Sequence, residues 1–326
     1  MFTTNDIETR TVFVINCIDK KRNLRVSTGE LLLEETNEKQ KRKTLTKFPF
    51  QKVLCLLIIG DITVTTPLID KCKKFNVGLI VLKANLRPVF YWSNAAEANF
   101  LLRQKQYAYA KDNLTIARWL VHNKICNQFT ALKKTRKKDF LTRDAMEHCL
   151  DAITAIDNIH EYNSLMGLEG TISKLFFKAY FQDAGWQCRR PRTKCDCLNV
   201  TLDIGYTLLF NFIECFTRMF GFDLYVGVYH RLWFKRKSLI CDLMEPFRCL
   251  IDHATLLAFH RKQFSEEDFE LNKEEYYLKR EKTGAYYKVF CDVLIDHKIE
   301  IFRFIQSYYR CFMGNKDIVH FPTFTF

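Results

Sequence analysis

Glycine and proline are scarce in this sequence, with 11 and 6 residues respectively among 326. So few turn-forming residues argue against a loop-rich protein, and the 29 phenylalanines favour helices that pack through aromatic cores. Long apolar runs are missing as well. The longest uninterrupted run, residues 53–59, is far shorter than the ~20 residues that a membrane-spanning helix needs. We therefore expect a folded chain with no membrane segment.

The sequence predicts neither a secretory leader nor a disulfide framework. The first ten residues, MFTTNDIETR, lack the basic-then-apolar profile of a signal peptide. The 13 cysteines are an odd number and lie scattered in apolar segments such as QKVLCLLIIG and IECFTRMF. This distribution is typical of small core side chains in a reducing compartment. The sequence therefore predicts a soluble, cytoplasmic protein.

Charge is the first positive feature. The net charge is +13 and the pI is near 9.1, which suggests a polyanionic partner. Nucleic acid is the leading candidate and an anionic membrane surface is the second. A peripheral membrane protein would need an exposed basic amphipathic helix, and no segment has that pattern clearly.

The chain changes character near residue 95. Before it, runs rich in β-branched and aromatic residues predict short strands, with one helix starting at Thr66 and Pro67. After residue 100 the apolar spacing is helical nearly to the end. The predicted fold class is α+β: a small β-rich, β-sandwich-like domain (1–95) is followed by a larger all-α domain (96–326). With 48% hydrophobic residues, the chain is long enough to bury a core in each domain.

Glu169 is an unexpected carboxylate in an apolar helical run, SLMGLEGTISKLFFKAYF. Gly167 and Gly170 lie on either side of it, and each costs a helix ~1 kcal/mol relative to alanine. Small residues three apart allow another backbone to approach, and a charge at such a place needs a partner. The sequence therefore predicts that Glu169 faces a specific counter-charge.

The segment YHRLWFKRKSLICDLMEPFR, residues 229–248, supplies candidates for the same site. His230 precedes a basic loop, and Asp242 and Glu245 are three residues apart on one face of the helix that follows. Arg248 is placed to brace Glu245. Pro246 cannot donate its amide, so we expect it to distort the helix at this point.

Two carboxylates and an imidazole form a ligand set for a hard divalent ion, Mg²⁺ or Mn²⁺. In that interpretation Glu169 and Glu245 supply two negative charges and His230 a neutral nitrogen. The alternative is structural: His230 is hydrogen-bonded scaffolding, and Glu245 with Arg248 forms a surface ion pair worth under ~1 kcal/mol. Spacing alone leaves both interpretations open.

Three segments carry a family resemblance: LMGLEGTISKLFF, DCLNVTLDIGYTLLF and YVGVYHRLWFKRKSLICDLMEPFRCLID. In this order they resemble the CRISPR-associated integrase family, which inserts new spacers into a repeat array. The N-terminal run VLCLLIIGDITVTTPLIDKCKKFNVGLIVLK and the helical LLRQKQY are similar to the family's first half. Cysteines flank Asp196 where the family often has proline or another small residue.

The resemblance implies that Glu169, His230 and Glu245 are catalytic and ligate Mg²⁺ or Mn²⁺. Asp242 becomes an accessory ligand, with a cap or salt bridge within its own helix as the alternative. The resemblance also implies that residues 1–95 form a dimerisation and scaffold domain, and that residues 96–326 form the catalytic, metal- and DNA-binding domain.

The expected reaction is a metal-dependent transesterification, in which the 3′-hydroxyl of a DNA fragment attacks a phosphodiester of the repeat array. Seven basic residues flank the expected ligands and are the candidate DNA contacts: Arg189, Arg190, Arg192, Arg231, Lys235, Arg236 and Lys237. Three aromatic residues are candidates to stack on splayed DNA ends or to lie in the core: Tyr206, Tyr229 and Trp233.

The resemblance further implies a homodimer, with two dimers bridged by a small ferredoxin-like partner protein. Two other functions stay open. In a metal-dependent structure-specific endonuclease, water replaces the 3′-hydroxyl as nucleophile. In a non-catalytic DNA-binding protein, the acidic residues are structural.

Overall fold

The structure is a computed structural model that describes residues 4–18, 20–37, 41–93, 99–109 and 113–326. The predicted boundary near residue 95 lies in 94–98, outside the described residues, so the division into domains at this point stays a prediction. None of the described helices is long and apolar enough to cross a membrane.

Strands dominate the first part of the chain and helices the rest. The described residues form nine strands: β1 (Thr11–Asn16), β2 (Lys21–Ser27), β3 (Glu30–Thr36), β4 (Arg42–Phe48), β5 (Val53–Ile59), β6 (Gly78–Leu82), β7 (Pro88–Trp92), β8 (Phe269–Asn272) and β9 (Glu275–Leu278). They form eleven α-helices: α1 (Thr4–Thr9), α2 (Thr66–Phe75), α3 (Phe100–Tyr109), α4 (Leu114–Lys134), α5 (Phe140–Ala155), α6 (Tyr162–Tyr180), α7 (Cys197–Arg218), α8 (Ser238–Met244), α9 (Arg248–His260), α10 (Thr283–Asp296) and α11 (Lys298–Met313). The predicted α+β fold class is confirmed.

Two sheets pack face to face in the N-terminal part. One has the order β1-β5-β6-β7, with β7 antiparallel to its neighbour, and the other is the antiparallel sheet β2-β3-β4. All seven residues of β5, VLCLLII, are buried, because the strand is covered on both faces. Leu56 and Ile58 meet Leu31 and Leu33 of the second sheet, as a sandwich-like arrangement requires.

The predicted helix at Thr66 is confirmed as α2, with Pro67 in its first turn and Asn76 in the left-handed conformation at its end. Sequence reasoning missed β4, because six of its seven residues are exposed and no apolar alternation marks it. It also missed the turn at Gly29, where a φ of +83° closes a hairpin inside the run NLRVSTGELLLEE.

Helix α7 is the centre of the helical part, with most of its residues buried. Helices α8, α9, α10 and α11 pack around it. The four-stranded sheet reaches it too, because Gly78 brings β6 close to Cys215 of α7. One addition to the predicted all-helical region is the short hairpin β8–β9, which packs on α7.

Helices α4, α5 and α6 form a second group, and α4 also packs on a 3₁₀ turn, Glu245–Phe247, that joins α8 to α9. This turn is where Pro246 interrupts the helix, as the sequence predicts. We call it the Glu245 turn. It places Glu245 opposite α6, the helix that carries Glu169.

Candidate active site

Glu169 and Glu245 converge on one ammonium group. Nζ of Lys124, on α4, contacts Oε1 of Glu169 and lies 2.7 Å from Oε2 of Glu245. Ser173 donates a 2.7 Å hydrogen bond to the same oxygen of Glu169. The predicted counter-charge of Glu169 is therefore a lysine of this chain, which sequence reasoning did not identify.

A signal for Lys124 exists in the sequence of α4. Four polar residues of this helix are buried: Asn123, Lys124, Asn127 and Gln128. Buried polar residues need partners, so polar side chains at three- and four-residue steps on an otherwise apolar face indicate a polar site rather than a solvated face.

The glycines beside Glu169 face open space. A Cβ added to Gly167 or Gly170 would meet no described atom of the chain within 4 Å. The sequence leaves room there for a neighbouring backbone, and no described backbone of this chain outside α6 occupies it. Both glycines are exposed, so the surface of α6 at these two positions is open to an incoming molecule.

Glu169, Glu245 and Lys124 all keep their charges at neutral pH. Burial by itself would raise the pKa of Glu245, but Arg248 and Lys124 outweigh it and lower that pKa to about 2. Burial also opposes ionisation of Glu169, and Lys124 outweighs it, so the pKa of Glu169 is lowered. The two carboxylates raise the pKa of Lys124 against the effect of its burial.

Arg248 braces Glu245 as predicted, with Nε 2.9 Å from Oε2. The pair is buried, since the Glu245 side chain is 3% exposed, so the surface-pair interpretation is wrong. Neither Arg248 nor Lys124 reaches Oε2 of Glu245 with the alignment of a hydrogen bond. This buried oxygen is held by the charges of Lys124 and Arg248.

Asp242 holds His230 rather than facing the two glutamates. Its Oδ1 lies 2.8 Å from Nδ1 of the His230 ring and accepts the His230 amide, also at 2.8 Å. Its Oδ2 accepts the amides of Val228 at 2.6 Å and Tyr229 at 3.1 Å. Gly227 is required here, because a Cβ would lie 2.6 Å from Oδ2.

These contacts define the roles of both residues. With both oxygens engaged and the side chain fully buried, Asp242 has neither the role of an accessory ligand nor that of a cap within its own helix. Its contact with Nδ1 leaves Nε2 as the ring nitrogen of His230 that is available to a ligand.

The donor types present, two carboxylates and an imidazole, are those that suit a hard divalent ion. The charge of His230 contributes to lowering the pKa of Glu245, and the Tyr229 hydroxyl is 3.5 Å from Oε2 of Glu169. In the described part of the chain, no three His, Cys, Asp or Glu side chains are close enough to enclose an ion. Lys124 is the cationic group between the carboxylates in this geometry.

The candidate DNA contacts divide into partly buried and exposed residues. Arg189 pairs with Asp203, and Lys237 lies 2.7 Å from both oxygens of Glu214, which is fully buried. Arg236 donates to the carbonyl of its own loop and to Ser238. Four of the seven candidates have exposed side chains: Arg190, Arg192, Arg231 and Lys235.

The three candidate aromatic residues also divide into buried and exposed ones. Tyr206 and Tyr229 are buried, and they belong to the core. Trp233 is 72% exposed, and its neighbours Leu232 and Phe234 are 62% and 83% exposed. Residues 232–234 therefore form an exposed apolar tip, which lies between Arg231 and Lys235 just after His230 in the chain.

Asp196 and Asn199 hold the segment before α7, residues 188–192, which we call the basic connector. Asp196 caps α7 by accepting the Asn199 amide at 2.7 Å. The Asn199 side chain accepts from Arg189 and from the Arg190 amide, and donates to the Cys188 carbonyl. This pair orients residues 188–190 and has no free group for chemistry.

Comparison with known proteins places the chain in a family. A family model described as "CRISPR associated protein Cas1" matches residues 17–291. The "CRISPR-associated endonuclease Cas1 1" of Thermodesulfovibrio yellowstonii is 28% identical over 286 residues, which cover 83% of this chain and 89% of the relative. The "CRISPR-associated endonuclease Cas1 3" of Thermus thermophilus is 28% identical over 239 residues, 70% of each chain.

Solved structures share the fold. A casposase bound to an integration product has a TM-score of 0.75 at 19% identity, with 94% of this chain and 92% of that chain covered. A Cas1 protein from Thermotoga maritima has a TM-score of 0.73 at 18% identity, with 93% and 97% covered. A Cas6-RT-Cas1–Cas2 complex has a TM-score of 0.77 at 18% identity, with 97% of this chain and 36% of that chain covered.

Proposed function

The chain belongs to the Cas1 family of CRISPR-associated proteins, and from this membership we infer that it is a metal-dependent DNA integrase of CRISPR adaptation. The observation that supports this function most strongly is the convergence of Glu169 and Glu245 on one cation, beside the imidazole of His230. Curated relatives are named endonucleases, and a fold neighbour is a casposase bound to an integration product.

We propose that Glu169, Glu245 and His230 hold one Mg²⁺ or Mn²⁺ ion. When bound, such an ion acts as a Lewis acid toward the phosphoryl oxygen and the attacking hydroxyl. The chain's own contribution is electrostatic and positional. Arg248 and Lys124 keep Glu245 ionised, and Asp242 fixes the ring orientation of His230 and leaves Nε2 for the ligand role.

The reaction exchanges one phosphodiester for another. The 3′-hydroxyl oxygen of the fragment forms a bond to phosphorus, the bond to the 3′-oxygen of the target strand breaks, and the hydroxyl proton ends on the departing alkoxide through solvent. The number of ester bonds is unchanged, so no external energy source is required.

The proposed DNA surface consists of the four exposed basic residues and the apolar tip at Trp233. Arg190 and Arg192 are presented by the connector that Asn199 orients, and Arg231 and Lys235 flank the tip. Contacts of arginine and lysine with phosphates give affinity that falls with salt, and they carry little sequence information. An exposed indole stacks on any unpaired base.

We also propose that this chain assembles in the way expected for the family. Residues 1–95 serve as a dimerisation and scaffold domain, the chain forms a homodimer, and a small ferredoxin-like partner bridges two dimers. Fold neighbours include Cas1–Cas2 complexes, which supports a second protein in the assembly. The substrates are a short double-stranded DNA fragment and the repeat array.

A structure-specific endonuclease is the second candidate, because curated relatives are named endonucleases and the same ion would activate water. One experiment separates the two. The purified protein, with its partner, is mixed with a repeat-containing plasmid, Mn²⁺ or Mg²⁺, and a short duplex that ends in 3′-hydroxyl or 3′-deoxy groups.

Joining that requires the 3′-hydroxyl supports the integrase. Cleavage that proceeds equally with the 3′-deoxy duplex, without joining, would favour the endonuclease. DNA binding with neither reaction would leave only the non-catalytic binding protein.

A further inference from the structure

The last four residues, Thr323–Phe326, are held by two buried asparagines of α4. Asn123 donates to the Phe324 carbonyl at 2.8 Å and accepts the Phe324 amide at 3.0 Å. Asn127 donates to the same carbonyl at 3.0 Å and accepts the Phe326 amide at 2.9 Å. We call residues 323–326 the C-terminal strap. It lies beyond residues 17–291, the part that the family model matches.

Asn127 also binds the Glu245 turn. Its Nδ2 donates to the Pro246 carbonyl at 2.9 Å, so one amide group connects the strap to the turn that carries Glu245. The contact is apolar as well as polar, because the Phe324 ring lies 4.6 Å, centroid to centroid, from the ring of Phe247. Two independent contacts therefore tie the strap to this turn.

The same stretch of α4 carries the cation of the site. Lys124 follows Asn123 directly and is three residues before Asn127, so all three side chains lie on neighbouring faces of one helical turn. Lys124 contacts Glu169 and Glu245, while its two asparagine neighbours hold the strap. A movement of α4 relative to the Glu245 turn would change both sets of contacts together.

We propose that the C-terminal strap is a positioning element of the active site. It binds both asparagines and packs on Phe247, and so fixes the Glu245 turn against α4, with Glu245 opposite Glu169. The proposal rests on the proposed function in one respect, the role of Glu245 in binding a divalent ion. Asn123, Asn127 and Phe324 then act through Glu245 and do not touch substrate.

Loss of the strap contacts should loosen the turn without unfolding the protein. Phe324→Ala keeps the backbone groups that bind the asparagines but removes the ring that anchors the strap on Phe247. When the strap detaches, two buried asparagines lose partners for their amide groups, and buried unpaired polar groups are costly. Water or a rotated side chain would satisfy them, and the Pro246 carbonyl would lose its fixed donor. Glu245 would then sample positions away from Glu169.

Two matched variants of the full chain test this proposal. Phe324→Ala removes the ring that packs on Phe247, and Phe321→Ala removes a ring that packs on Trp119 and Tyr308. Both phenylalanines are 7% exposed, so both variants should lose similar thermal stability. A third variant, Asn127→Ala, cuts the link between the strap and Pro246 and keeps every aromatic ring.

The measurements are Mn²⁺ affinity, hydrogen exchange of the backbone around residues 244–252, and the rate of DNA joining, at a temperature where each variant is folded. Phe324→Ala and Asn127→Ala should weaken Mn²⁺ binding and lower kcat roughly tenfold or more, with KM for DNA unchanged, and should speed exchange at 244–252. Phe321→Ala should match the wild type in all three, and Phe324→Leu should recover most of the loss.

Equal behaviour of Phe324→Ala and Phe321→Ala in Mn²⁺ affinity and exchange would overturn the proposal, because the strap would then be ordinary packing. These two measurements need no catalysis. A wild-type protein that joins no DNA would count against the proposed function, and the exchange comparison would still decide on the strap.

Discussion

Lys124 lies with its ammonium nitrogen 2.7 Å from Oε2 of Glu245, and the same group contacts Glu169. The lysine is on α4, and the two carboxylates come from the Glu245 turn and α6. The chain thus stabilises one buried and one partly buried acidic group with a tethered cation. This relationship explains why an isolated glutamate is tolerated in an apolar helix.

Replacing Lys124 by methionine should destabilise the protein by about 3 kcal/mol or more, because the buried Glu245 and the partly buried Glu169 lose their common counter-charge. Urea unfolding measures the change. Added Mn²⁺ should restore part of the loss if the carboxylates bind it. Lys288→Met is the control, since Lys288 pairs with Asp292 on the surface, and it should leave stability unchanged. A Lys124→Met protein as stable as the wild type would contradict this role.

Asp242→Asn should slow DNA joining roughly 10- to 100-fold. Asparagine has one side-chain oxygen where aspartate has two, so it cannot accept hydrogen bonds at both positions, and the His230 ring loses its fixed orientation. DNA affinity should stay near that of the wild type, because Asp242 is fully buried. Single-turnover joining and a binding titration measure the two quantities. Asp292→Asn is an exposed control. If both variants join DNA at the same rate, Asp242 does not position the histidine.

Asp252 should make stability depend on pH. Burial raises the pKa of Asp252 to about 7, against hydrogen bonding from Tyr206 and the charge of Arg248. Between its ordinary value of 3.8 and about 7, the folded state holds a proton that the unfolded state lacks. The stabilising contribution is therefore complete at low pH, and it is lost as pH rises toward 7, by at most ~1.4 kcal/mol per unit.

The check is urea unfolding of the wild type and Asp252→Asn between pH 5 and 8. The variant should gain stability relative to the wild type as pH rises. A difference that is constant across this range would show that Asp252 does not titrate as expected. Glu245, with its pKa near 2, is ionised throughout the range and adds no slope.

Trp233→Ala should weaken binding to a duplex with splayed ends about tenfold or more, and binding to a blunt duplex much less, because only unpaired bases offer a free face for stacking. Fluorescence anisotropy with labelled DNA measures both affinities. Phe140→Ala is the control, since Phe140 is 79% exposed and lies outside the site. Equal losses for both DNA forms, or a change in oligomeric state alone, would assign the apolar tip to another partner.

Much of the fold follows from local patterns, and the three proposed site residues rest on such patterns too. Strand β5 is a continuous apolar run, α2 has its proline and its left-handed asparagine, and the motifs around Glu169, His230 and Glu245 carry the family resemblance. Strand β4 cannot be predicted in this way, because its residues show no alternation between buried apolar and exposed polar side chains.

The partners of charged residues are harder to predict, because pairing over long sequence distances leaves no local pattern. Lys124 resembles an ordinary helical lysine, although its neighbours Asn123 and Asn127 are buried with it. Lys237 belongs to a basic run that suggests DNA, but its ammonium group is neutralised by Glu214 from α7. The partners of Lys124 and Lys237 can be identified only from the way helices distant in sequence pack together.

The most direct measurement of the central claim is a Mn²⁺ titration, by calorimetry or electron paramagnetic resonance, of the wild type and single-site variants. We predict one ion per chain for the wild type, and affinity lower by roughly 10- to 100-fold for Glu169→Gln, Glu245→Gln and His230→Ala, with the exposed Glu270→Gln unchanged. Wild-type affinity in Glu169→Gln and Glu245→Gln would contradict the claim that these carboxylates bind a common divalent ion.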